Sequence, residues 1–115
     1  MASSERSAGV PAARYLFQAR FAAEGARGIL QEGGARRRAT VEQAIQSVGG
    51  RLEAFYFAFG DVYVIADLPD NAAAAALSLT ISASGVVSTT VTVLLTVEEA
   101  DRAVKLSPQY RAPGQ

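Results

Sequence analysis

The chain has 115 residues, half of them hydrophobic and 19% charged, with 11 basic residues balancing 11 acidic ones. That size and apolar content fit a single domain with one hydrophobic core and exclude a disordered body; the missing basic excess argues against nucleic acid as a partner. Neither Cys nor His occurs, which removes disulfides, thiolate chemistry, and the commonest general base and transition-metal ligand.

Residues 1–13 are small and polar around Pro11 and are expected to form a flexible tail. They lack the long apolar core of a signal peptide. The first strand is expected over Arg14–Phe21, where Tyr15, Phe17 and Phe21 alternate with Leu16, Gln18 and Arg20. Glu24–Gln31 reads as a weak helical turn loosened by Gly25 and Gly28, and Gly33-Gly34 then breaks the chain. Ala35–Val48 is expected to be a helix with Val41, Ile45 and Val48 on its apolar face, ended by Gly49.

Two strands, Arg51–Phe59 and Val62–Leu68, flank a tight turn at Gly60-Asp61, which sets Phe59 opposite Val62 and Tyr56 opposite Ile65. Asp70 is the expected N-cap of an alanine-rich helix reaching about Ser84, with Gly85 at its end. This stretch is interrupted by Ser78, Thr80, Ser82 and Ser84, so it is too short and polar to span a bilayer. No membrane partner is expected, and the cytoplasm is the default location. Val86–Leu95 is a β-branched strand, Glu98–Leu106 a short closing helix, and 107–115 a second flexible tail.

The order βαββαβ predicts a single α+β domain over residues 14–106. It is ferredoxin-like, with a four-stranded antiparallel sheet in the order 4-1-3-2 and helices on one face. By strand parity Phe55, Phe57, Phe59, Val62, Val64 and Ala66 pack under the helices, and Glu53 falls on that same side. The other side holds Leu52, Ala54, Tyr56, Ala58, Tyr63, Ile65 and Asp67. It is too apolar for bare water and too polar for a plain core, a mixture expected of an interface or ligand cavity. A homodimer or higher homo-oligomer with sheets meeting face to face follows, a dimeric α+β barrel. With the first and third strands taken as parallel neighbours, Arg20 and Asp67 are expected to pair.

Arg20, Tyr56, Tyr63 and Asp67 are therefore the candidate ligand-binding residues, for a small polar or aromatic metabolite. The plainer alternative is an ion pair beside interface tyrosines. Gly34, Arg36 and Arg37, at a helix N-terminus after a glycine pair, form a candidate anion site. It lacks the Gly-Lys-Ser/Thr ending of a Walker loop, and its alternative is a solvated basic turn pairing with Glu32 or Glu42. Asp61 and Asp67 bracket a strand and lie too far apart to share a metal. No metal, no cofactor and no catalytic residue is assigned.

Segments Tyr15-Leu16-Phe17, Leu30 to Arg37, Gly49 to Phe57, Asp61 to Ile65 and Leu68-Pro69-Asp70, with the Ala-rich helix ending at Gly85, resemble the GYD domain family. The resemblance covers most of the chain and implies a dimeric, ferredoxin-like, mostly bacterial protein whose molecular function is not established. This sequence departs from the family at the namesake hairpin, where Gly60 and Asp61 are adjacent. Small-ligand binding by a homo-oligomer, in a cavity between the sheets of adjacent protomers, is the favoured reading. The alternatives are a cofactor-independent monooxygenase- or isomerase-like enzyme in the same cavity, and a structural or regulatory oligomerisation module.

Overall fold

In the computed structural model, residues 13–115 are described; the expected N-terminal tail lies outside them except for Ala13, which opens the first strand. The elements are β1 (Ala13–Phe21), α1 (Ala23–Glu32), α2 (Gly34–Ser47), β2 (Arg51–Phe57), β3 (Asp61–Leu68), α3 (Asn71–Ala83), β4 (Val87–Leu94) and α4 (Val97–Val104). Residues 107–115 add no helix or strand and are exposed. The four strands form one sheet in the order β2-β3-β1-β4, every neighbouring pair antiparallel. The fold is thus the expected ferredoxin-like α+β arrangement. No helix among the described residues is long and apolar enough to cross a membrane.

Alternation along the strands builds the core on one side of the sheet only. Tyr15 and Phe17 of β1 lie with Val62, Val64, Ala66 and Leu68 of β3 beneath Ile45 of α2 and Ala73, Ala74 and Leu77 of α3, all buried. Asp70 caps α3 through a 2.9 Å hydrogen bond from the Ala73 N–H. Gly49, at φ 85°, supplies the left-handed turn that ends α2.

Several local expectations are corrected. The hairpin turn is Phe59-Gly60, closed by the Ala58 N–H donating to the Asp61 carbonyl at 2.8 Å. Gly60 takes φ 87°, which this turn requires of its second residue and Asp61 would adopt only with strain. The pairing moves accordingly, so that Tyr56 faces Tyr63 and Phe57 faces Val62.

A bulge interrupts β2 between Leu52 and Ala54. The extra residue reverses parity, so Leu52 enters the core at 8% exposure and Glu53 leaves the helix-covered side. Finally, β1 and β3 run antiparallel, not parallel: a strand joined to its parallel counterpart by a helical crossover must leave room for the hairpin strand between them.

α1 is a full ten-residue helix rather than a weak turn. Gly25 accounts for part of this. A Cβ there would stand 2.5 Å from the Val86 carbonyl oxygen, so the missing side chain lets the helix lie against the backbone entering β4.

Candidate functional site

The uncovered side of the sheet is built from Arg14, Leu16, Gln18 and Arg20 on β1, Ala54 and Tyr56 on β2, Asp61, Tyr63, Ile65 and Asp67 on β3, and Thr90, Thr92 and Leu94 on β4. Its four sequence-expected ligand residues do not converge. Tyr56 and Tyr63 are brought directly opposite each other near the middle. Arg20 and Asp67 are not brought together, because antiparallel pairing sets Arg20 beside Asp61 and Arg14 beside Asp67. Asp67 lies six residues beyond Asp61, about 20 Å at the rise of a strand.

Asp67 anchors a network of four charges at one end of this face. Arg14 grips its carboxylate with both Nε and Nη2, at 2.7 and 3.0 Å. Arg51 lies 3.6 Å from the same carboxylate and donates to Glu53 at 2.6 Å, while Glu53 also lies 3.6 Å from Arg14. The hydrogen bond from Arg14 holds the Asp67 carboxyl below the usual carboxylate range, against the opposing effect of partial burial. An aspartate held ionised in this way is a fixed charge rather than a proton carrier.

Asp61 occupies the opposite end and was not singled out as a binding residue from the sequence. It is 5% exposed; its Oδ2 accepts from Gln18 Nε2 at 2.9 Å and from Arg20 Nη2 at 3.3 Å. Its Oδ1 is buried without a hydrogen-bond partner among the described residues. The antiparallel register, once known, is the only sequence-level signal that pairs Asp61 with Gln18 and Arg20.

A partly open apolar cavity of about 80 Å³ lies on the other side of the sheet, under the helices. Its walls include Phe17, Val64, Ala44, Ile45, Leu77 and Ile81. Ala19 and Ala44 also line it, so two small side chains contribute to the space that larger ones would fill. No periodicity signals such a gap, because every lining residue type is ordinary for a core.

A cleft of about 380 Å³ between α1, the start of α2 and β4 adjoins the cavity, sharing Phe21, Arg37 and Val87 with it. Arg37 stands where the two meet, and its Nε donates to Glu32 Oε2 at 2.6 Å. That bond keeps the Glu32 carboxyl below its ordinary range. Arg36 lines the same cleft. Gly34 packs its backbone against the Phe57 ring, 3.0 Å from where a Cβ would stand. The candidate anion residues thus split: Arg36 and Arg37 share the cleft, while Gly34 lies beneath an aromatic ring. The expected pairings of the basic turn are present, Arg37 with Glu32 and Arg38 with Glu42. Among the described residues no cluster of three acidic side chains is placed to hold a metal ion.

The family model of the GYD domain matches residues 15–104. No curated protein and no solved structure matches the chain.

Proposed function

The chain belongs to the GYD domain family, and from that footing we propose that it is a homo-oligomeric protein that binds a small apolar ligand beneath its helices. The observation that carries this reading is the apolar cavity, partly open, with Arg37 at the junction to the wider cleft. Apolar walls with a few placed polar groups at one end are the usual composition of a small-molecule site. The cavity suits an apolar ligand, and Arg36 and Arg37 line the cleft through which it would enter.

Binding without chemistry is favoured by the groups present. At the junction, the hydrogen bond from Arg37 holds the Glu32 carboxyl below its ordinary range, which disfavours it as a proton carrier near neutral pH.

The oligomer rests on the uncovered sheet face. Tyr56 is 69% exposed, and Leu16, Tyr63, Ile65 and Leu94 are only half-buried. Helices occupy the other face, so a second sheet is the natural cover, as in a dimeric α+β barrel. An apposed protomer could also supply a donor for Asp61 Oδ1, which has none among the described residues.

Small molecules released by denaturing the purified full chain, identified by mass spectrometry, test the ligand reading. Wild type is expected to release a reproducible compound that Ala44→Leu, which fills the cavity, does not. Release of nothing from wild type, or of the same compound in equal amount from Ala44→Leu, contradicts it.

A further inference from the structure

The last helix presents an apolar stripe that no other described residue buries. Thr96 and Glu99 form a reciprocal capping box, the Glu99 N–H donating to Thr96 Oγ1 at 3.0 Å and the Thr96 N–H to Glu99 Oε1 at 2.8 Å. On the helix so started, Val97, Ala100, Ala103 and Val104 share one side, while Glu98, Asp101, Arg102 and Lys105 share the other. A stripe of this kind normally faces a core. Here every residue from Leu95 to Leu106 is exposed, with Val97 at 73%, Val104 at 77% and Leu106 at 77%. A helix of eight residues is not stable in water alone, so its apolar side calls for a partner.

The same chain carries a second surface with the complementary defect. α3 contains no charged residue over its thirteen positions. Ala73, Ala74 and Leu77 face the core, yet Ala72, Ala75, Ala76 and Leu79 face outward uncovered. Surface helices ordinarily carry charge on that side. Between α3 and β4 runs an apolar groove of about 320 Å³, lined by Ala74, Ala75, Ser78, Val91 and Val93. Alanines along its wall would let another helix approach closely.

We infer that the C-terminal arm, residues 95–106, lays its apolar stripe against α3 and the α3–β4 groove of a second copy of this chain. A second copy is the occupant because both halves of the contact are present on one chain, which is what a two-fold, self-complementary interface requires. The capping box starts α4, and the arm is exposed along its whole length. Each contact is made twice. Four large apolar side chains on each arm, with the groove walls they cover, reach the scale of about 1,000 Å² expected of a specific interface. The inference depends neither on the ligand nor on the sheet-to-sheet contact.

The chain has no cysteine, so engineered ones report without background. Full-length Val104→Cys and Ala75→Cys variants are mixed, allowed to exchange subunits, and treated with a short bismaleimide. The expected result is a linked dimer containing one chain of each variant, with little linkage in either variant alone. Linkage within one chain in the Ala75→Cys/Val104→Cys double variant, or no mixed dimer, overturns the proposal. In parallel, Val97→Asp/Val104→Asp, whose changes lie on an exposed arm and spare the core, is expected to weaken self-association about tenfold or more. Unchanged association in that variant also overturns it.

Discussion

Asp67 shows what an ion network on an otherwise apolar face contributes. Its native carboxyl lies below the ordinary range because Arg14 donates to it. The unfolded chain therefore binds more protons at moderately acid pH than the native one, and stability falls as pH falls. The contribution is complete above about pH 5 and disappears as pH drops through the native value, beneath the ordinary carboxylate range near 4. Melting temperatures of wild type and Asp67→Asn, measured from pH 7 to pH 3, are expected to differ most at neutral pH and to converge in acid. A constant gap would show that the charge is not what matters.

Tyr15 offers a simpler case. It is 1% exposed, and its hydroxyl donates to Asn71 Oδ1. Burial, with Asp70 nearby, raises its pKa. Tyr15→Phe is expected to cost about 1 kcal/mol in urea unfolding. The character of such positions was legible in the sequence, since Tyr15 shares its parity with Phe17 and Phe21, and Asp67 falls on the mixed face. Their partners were not: which arginine meets Asp67 depends on strand direction, and nothing within β1 or β3 encodes that locally.

At the scale of elements, the helices and strands follow from periodicity and caps, and the expected ones are present in the expected order, with α1 added as a full helix where a weak turn was expected. The failures arose where one residue changes a count. Moving the turn from Gly60-Asp61 to Phe59-Gly60 shifted the β2–β3 pairing by two positions without changing faces. The bulge at Glu53 did change faces, exchanging Leu52 and Glu53 between core and surface. Neither signal is local in the sequence. A bulge is selected by what each side must bury, which only the assembled sheet defines.

The two glycines of α1 separate local propensity from packing. A Cβ at Gly28 would meet nothing within 4 Å, so Gly28→Ala is expected to stabilise the chain by about 0.5–1 kcal/mol. At Gly25 the new methyl would collide with the Val86 carbonyl, so Gly25→Ala is expected to destabilise it despite the better helix propensity. Urea unfolding of both variants checks the pair, and equal shifts would contradict this account of α1.

For the whole molecule, the sheet divides its labour between two faces. One buries the core and, with the helices above it, lines the cavity; the other presents tyrosines, aliphatic side chains and a buried aspartate with one oxygen unpaired among the described residues. The mixed character of that second face was legible from strand parity alone. The cavity was not, because it arises from small residues on separate elements, including Ala19 on β1 and Ala44 on α2, whose proximity appears only after folding. Placing charge on the open face should separate its role from the core. Leu16→Asp/Ile65→Asp puts two carboxylates opposite each other on adjacent strands of that face, and is expected to yield a smaller oligomer.

Native mass spectrometry of the intact wild-type chain, at low protein concentration, tests self-assembly most directly. The account predicts an even-numbered oligomer of the 12.0 kDa chain as the dominant species. A stable monomer under the same conditions would contradict it, because the open face and the exposed arm would both then be left to water.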